Sequence, residues 1–333
     1  MSISAKELAK KLNISAAAVS MALNGKPGVS TETRKKIIEA AKSYSYDFTK
    51  IKPQQLNGSI NFIVFKKHGT VVNDSPFFKV LFDSITEYCK DINCKLYINH
   101  LFDNGDVLKQ LDAMISHDCK GIILLGTEMQ SEDFFPLSYI NFPIVLLDTY
   151  FNSTKMDCVL INNLESAYKA TNTLIKKFQS QPGYLHSSYH IHNFEERADG
   201  YFKAIRSAGM SVSNSIVHKV APSVEGTYAD LKTLIEQGVN IARCYFADND
   251  LIAIGAMKAF KEAGYKIPED IAIIGFDDLP ICSYFEPSIT TINVPIKYMA
   301  QTAIDRLLSV CNSKKYNPIK IEVSTNIIFR SST

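Results

Sequence analysis

The chain has 333 residues, 46% of them hydrophobic, seven cysteines and a formal net charge of +2. That length exceeds one average domain, and the odd cysteine count without a CxxC pair or Cys/His cluster excludes a disulfide framework and a zinc site. With no signal-peptide core and no apolar run of membrane-spanning length, the expectation is a soluble cytoplasmic protein with reduced thiols, no metal, no cofactor and no membrane partner.

The charge is unevenly placed. Residues 1–58 carry ten Lys and Arg against four Asp and Glu, so they hold +6 and the remainder holds −4. A basic arm on an acidic body points to a polyanion-binding module joined to something else.

Three helical signals open the chain. Ser4 caps a helix with Leu8, Ala9 and Leu12 at helical spacing. Ser15 caps a second, in which Val19, Ala22 and Leu23 form the buried stripe. Gly25, Pro27 and Gly28 make a turn. Ser30 caps a third, with Ile37, Ile38 and Ala41 inward. Two short helices, a tight turn and a supporting third describe a helix-turn-helix. The second helix begins with three alanines, Ala16, Ala17 and Ala18, in a basic neighbourhood. Solubility would favour Lys or Glu there and burial would favour Leu, so bare methyls suit a helix that something large approaches closely.

The stretch "ISAKELAKKLNISAAAVSMALNGKPGVSTETRKKIIEAAKSYSY" resembles the DNA-binding headpiece of the lactose/galactose repressor (LacI/GalR) family, with "VS-x-x-LNG" and "VS-x-x-TR-x-x-I-x-x-A" as its marks. The resemblance implies that the second helix enters the major groove. It assigns base contacts to Ala16, Ala17 and Met21 and phosphate contacts to Ser15, Ser20 and Asn24. Ala and Met donate no side-chain hydrogen bonds, so direct readout is sparse and DNA shape carries part of the specificity.

The family continues with a hinge helix that wedges a leucine into the minor groove. Here "YDFTKIKPQQLNG" departs from it. Phe48 and Thr49 stand where Pro and Asn are usual, Lys52 replaces a small Ala, and Pro53 falls inside the expected helix. Leu56 is either the wedge, one residue late, or a plain linker residue.

From Ser59 the pattern alternates between strand and helix. Strands are predicted at 60–65, 95–100, 121–126, 143–148, 181–187, 216–220, 242–247 and 271–276. Helices are predicted at 77–90, near 108–115, and at 165–178, 196–209, 227–238 and 250–264. Two such series predict two lobes with parallel sheets and helices on both faces. No glycine-rich phosphate loop follows either first strand.

"FADNDLIAIGAMKAFKEAGYKIPEDIAIIGFDD" and "EPSITTINVP" resemble the type I periplasmic-binding-protein fold that serves this family as sensor domain. The expected fold is thus an all-α helix-turn-helix headpiece (1–47), a hinge (48–58) and an α/β two-lobed sensor and dimerisation domain (59–333). Lobe 1 takes about 59–161 and 291–320, and lobe 2 takes 162–290 and 321–333. The chain then crosses between lobes near 161, 290 and 321. The resemblance places a ligand between the lobes, at the carboxyl ends of the strands.

Asp148, Arg197, Asn249 and Asp277 match family ligand positions. Carboxylates, an amide and a guanidinium fork suit a polyhydroxylated ligand. Asp148 has a second reading as a brace for the crossover. Asp250 is either a ligand contact or an N-cap. Phe77 and Phe78 either stack on a sugar face or belong to the core. The loop 221–226 lacks the aromatic that some family members place over the sugar. Seven histidines, among them His117, show no metal spacing, and His190 and His192 are candidates for the cleft rim.

These readings converge on a homodimeric transcriptional regulator, a repressor of a near-palindromic operator, controlled by a sugar or sugar phosphate. The alternatives are a solute-binding protein, against which the headpiece counts, and a regulator responding to a purine or a partner protein. An enzyme is disfavoured because no nucleophile–base pair or metal set is visible.

Overall fold

The computed structural model describes residues 3–23, 29–44, 46, 58–103, 106–116, 118–139, 142–152, 154–312 and 317–333. The chain divides into two compact units, Met1–Gly58 with Cys89–Lys95, and Ser59–Tyr88 with Leu96–Thr333.

The first unit holds α1 (Ala5–Leu12), α2 (Ala16–Leu23) and α3 (Thr31–Ser43). Ser4 and Glu7 form a capping box, each side chain accepting from the other's backbone N–H. Asn13 ends α1 in the left-handed conformation, at φ 53°. The Ser15 hydroxyl accepts from the Ala18 N–H at 3.1 Å, and that of Ser30 from the Thr33 N–H at 3.2 Å. Leu8, Ala9, Val19, Ala22, Ile37 and Ala41 close the core between the three helices. Leu12, Leu23 and Ile38 are only half-buried at its margin. Asn24, and the hinge with Pro53 and Leu56, lie outside the described residues, as does His117.

The remaining elements follow in order. β1 (Ser59–Lys66), α4 (Thr70–Asp74), α5 (Pro76–Asp91), β2 (Lys95–Phe102), α6 (Val107–Met114), β3 (Cys119–Leu125), α7 (Ser131–Phe134), β4 (Ile144–Leu147) and β5 (Asp157–Ile161) form the first series. The second comprises α8 (Asn163–Phe178), β6 (Gly183–Ser187), α9 (His192–Ser207), β7 (Val217–Val220), α10 (Val224–Glu236), β8 (Cys244–Ala247), α11 (Asp250–Glu262), β9 (Ala272–Asp277), α12 (Ile281–Tyr284) and β10 (Thr290–Asn293). The chain closes with α13 (Ile296–Cys311), β11 (Lys320–Val323) and β12 (Asn326–Ile328).

Two six-stranded sheets result, ordered β11-β5-β4-β3-β1-β2 and β12-β10-β9-β8-β6-β7. β1 is buried along almost its whole length, as a central strand covered on both faces must be, whereas β2 is an edge strand and largely exposed. β12 runs antiparallel to β10. β10 pairs parallel with β9, and β11 pairs parallel with β5. The second crossing between lobes therefore falls after Asn293 and the third after Val323, a few residues beyond the expected 290 and 321. In both cases strand pairing holds the residues with the sheet they have just left.

Close packing explains two glycines. A Cβ on Gly200 would meet the Leu164 carbonyl at 2.3 Å, so this glycine lets α9 lie directly on α8. A Cβ on Gly275 would meet Asp250 Oδ1 at 2.2 Å. All seven cysteines are free thiols, and among the described residues no helix is long and apolar enough to cross a membrane.

Candidate functional site

In the first unit, Ser15, Ala16, Ala17 and Ser20 are exposed and Met21 is half-buried, while Val19 and Ala22 face the core. The five lie on the outward side of α2 and its cap, and four of them are Ser or Ala, too short to hold a partner away. The Ser15 hydroxyl is already an acceptor for its own helix, which leaves its O–H as a donor. Lys6, Lys10, Lys11, Lys35, Lys36 and Lys42 are exposed on the same unit.

In the second unit, Phe77, Phe78, Asp148, Arg197, Asn249 and Asp277 all line one cleft. The two sheets build it by pointing strand ends at each other. Asp148 follows β4, Asp277 ends β9, Asn249 follows β8, and Arg197 rises from the first half of α9. Phe77 and Phe78 stand on the first turn of α5, their rings 5.1 Å apart edge to face.

Arg197 is only 4% exposed and is held from several sides. Its Nε donates to Asn163 Oδ1 at 2.9 Å, and its Nη1 donates to the Asp248 carbonyl. Its guanidinium carbon lies 3.6 Å from the Phe276 ring centroid. Its Nη2 lies 4.0 Å from Asp277 Oδ1. Burial pushes the Asp277 carboxyl well above the usual range, against the opposing pull of Arg197.

Asp148 sits at φ 62°, a left-handed conformation that turns its carboxylate off the strand axis. Oδ2 accepts from Thr127 Oγ1 at 2.6 Å. Oδ1 is shielded from solvent and has no hydrogen-bond partner among the described residues. Burial pushes this carboxyl up to about 6. An unpaired buried acceptor costs about 1–3 kcal/mol and calls for an explanation, and a donor supplied by a ligand is one.

Asn249 rather than Asp250 caps α11, its Oδ1 accepting from the Ile252 N–H at 2.8 Å. Asp250 lies one residue inside and accepts from the Leu279 N–H at 2.8 Å and Thr291 Oγ1 at 2.5 Å. It braces the loop after β9 and does not line the cleft. His190 and His192 lie at the rim, paired with Glu195 at 3.2 Å and Glu196 at 3.6 Å.

Several residues here carried no sequence signal. Thr127 and Asn193 line the cleft, and Asn193 also donates to the Asp148 carbonyl at 3.3 Å. Asp248, beneath Arg197, accepts from Tyr184, His186 and the Ser187 N–H. Glu128 is buried and accepts from the backbone N–H groups of Lys67, His68, Gly69, Val71 and Val72, at 2.8–3.3 Å. It thereby fixes the loop that leads to Phe77 and Phe78.

Contacts across the cleft edge hold the lobes together. Tyr150 donates to Glu196 at 3.1 Å, Gln130 Nε2 donates to the His190 carbonyl at 3.2 Å, and the His68 and Tyr189 rings meet at 4.8 Å. The enclosed space is about 30 Å³, room for a water or two.

A helix-turn-helix unit and a two-lobed α/β body with a polar interlobe cleft are the parts of a DNA-binding regulator. Residues 4–47 match the family described as bacterial regulatory proteins, lacI family, and residues 179–333 match the periplasmic binding protein-like domain. The chain is 26% identical over 332 residues to the HTH-type transcriptional regulator GalR of Escherichia coli (strain K12), covering 98% of this chain and 94% of that protein. A transcriptional regulator CelR–cellobiose complex shares the fold at TM-score 0.73 and 20% identity, over 99% of this chain and 100% of that one. The lac repressor dimer bound to operator and the anti-inducer ONPF does so at TM-score 0.72 and 18% identity, over 100% and 99%. Residues 4–47 thus carry the lacI-family DNA-binding domain, and the chain as a whole is similar to regulators of that family. It is a DNA-binding transcriptional regulator and not an enzyme.

Proposed function

We propose that this regulator is a homodimeric repressor of a near-palindromic operator, released from or held on DNA by a neutral sugar bound between its lobes. The observation that carries the sugar reading is the unpartnered Asp148 Oδ1 on a cleft wall shared with Arg197 and Asp277. Acids accept from ligand hydroxyls, and the guanidinium fork donates to ring and hydroxyl oxygens. Phe77 and Phe78 offer apolar faces to the C–H side of a sugar ring.

The charges favour a neutral sugar over a phosphate. The lining pairs one cation, Arg197, with two carboxyls, Asp148 and Asp277, and its guanidinium is already engaged by Asn163, Asp248 and Phe276. The solved relatives named above carry cellobiose in one case and operator DNA in the other, which fits a sugar-controlled operator binder. The exposed Ser15, Ala16, Ala17, Ser20 and Met21 are the DNA-contacting set in this reading, joined by Asn24 and Leu56. Homodimerisation places two such sets at symmetric half-sites. Ligand alters the lobe arrangement and so biases the DNA-binding geometry.

The test is a thermal-shift screen of neutral sugars and sugar phosphates, followed by operator binding with and without the hits. A neutral sugar that raises the melting temperature and changes operator affinity is expected. Stabilisation by sugar phosphates alone would refute the neutral-ligand reading, and silence across the whole panel would refute a sugar effector.

A further inference from the structure

Asp277 lines a second space that Arg197 does not reach. This second hollow measures about 380 Å³, and Asp277 lines both spaces. Its volume lies in the range of small-molecule sites, whereas the enclosed part of the central cleft does not. Both lobes build it. Val80 of α5 and the start of α13 come from the first, and the loop after β9 comes from the second.

Its chemistry is that of a carbohydrate surface. Val80, Leu279, Pro280 and Pro295 supply apolar walls, and Tyr298 stands at the edge with 63% of its surface exposed. The polar side is Asp278, which is fixed in place. Oδ1 accepts from Arg330 Nη2 at 2.7 Å, and Oδ2 accepts from Asn293 Nδ2 at 2.9 Å. Each oxygen keeps a second lone pair for a hydroxyl. Asp277 and Asp278 are consecutive residues with positive φ, 113° and 59°. Such a pair is costly for non-glycine residues, and here it serves two spaces, Asp277 lining both and Asp278 only the hollow.

Resting on the sugar reading above, we infer that the effector has at least two rings, the first in the cleft and the second in this hollow beyond Asp277, against Tyr298. A second ring there touches both lobes, so chain length and not only ring identity sets affinity.

The experiment is titration calorimetry on the full-length protein with matched pairs, methyl hexosides and disaccharides bearing the same hexose at the non-reducing end. The disaccharide is expected to bind about tenfold tighter or more, the gain an aromatic contact and buried apolar area supply. Tyr298→Ala should remove that gain and leave the methyl hexoside unchanged, while Tyr298→Phe retains it. Equal affinities within each pair, or an equal loss on both ligands with Tyr298→Ala, would overturn the two-ring inference and leave the cleft reading intact. No binding by any sugar to the wild-type protein would overturn both.

Discussion

The Arg197 guanidinium lies over the Phe276 ring, its carbon 3.6 Å from the centroid, and Phe276 immediately precedes the Asp277 whose carboxyl Arg197 faces at 4.0 Å. Stacking and the Asn163 bond together fix the plane of the fork, so its position owes nothing to a ligand. A lysine cannot reproduce either restraint. Arg197→Lys should weaken sugar binding by about 100-fold, from loss of charge-assisted hydrogen bonds of ~2–3 kcal/mol. Ligand-free DNA binding should survive, because the DNA-contacting set lies in the other unit. Calorimetry and fluorescence anisotropy read the two separately, and a folded variant that no longer binds operator would undo the assignment of Arg197 to the ligand.

Asp148 makes ligand binding depend on pH. Its carboxyl is pushed up to about 6 by burial, and a ligand hydroxyl donated to Oδ1 favours the ionised form. Affinity should therefore be full above that value and fall by up to tenfold per unit below it. Stability runs the other way. An unfolded aspartate ionises near 3.9, so between about 4 and 6 the folded state binds more protons, and the ligand-free protein loses stability as pH rises through this window. Titrations and melting curves across the window check both signs, and Asp148→Asn should flatten the Asp148 contribution to each.

Glu128 places one carboxylate among five backbone N–H groups. Glu128→Gln keeps the shape but turns an amide NH₂ toward donors. The expected cost is about 2–4 kcal/mol, a broken buried hydrogen-bond set around a charge. Chemical denaturation measures it. Sugar affinity should also fall, since the loop leading to Phe77 and Phe78 loses its anchor, and a fully stable variant with wild-type affinity would show that the loop is fixed by other contacts.

The outward arc of α2 predicts an outcome for Met21→Arg. Neither Ala16, Ala17 nor Met21 makes a bidentate base pair, each of which discriminates by about 1–3 kcal/mol. An arginine at this position should create a preference for guanine at one symmetric pair of operator positions. Selection from a random DNA pool at matched salt compares the two proteins. Identical selected sites would mean that this arc does not face the bases.

Much of the site was readable because its residues sit where periodicity breaks. Asp148 and Asp277 mark strand ends and Arg197 stands in the second turn of α9, which starts at His192, four residues before the expected 196, and all three line the cleft together with Phe77, Phe78 and Asn249. What was not readable depends on loops folding back. Glu128 meets residues some sixty positions earlier, and nothing in its local sequence announces five amide partners. Asn249 and Asp250 are adjacent acceptors, and only the geometry of the turn decides that the first caps α11 and the second braces Leu279. β10 stays paired to β9 and β11 to the distant β5, pairings that local sequence does not announce, and this moved two lobe crossings by a few residues.

The tightness of the cleft has a kinetic meaning. With only about 30 Å³ open between Asp148, Arg197 and Asp277, this arrangement of the lobes has no room for a sugar ring, and on the proposed reading the ligand binds a more open one. The observed affinity is then lower than the intrinsic one by the fraction of molecules that are open. The rate of capture should rise with sugar concentration and then level off at the rate of lobe separation. The speed with which such a cell answers a sudden supply of sugar would be capped by this motion, however much sugar arrives.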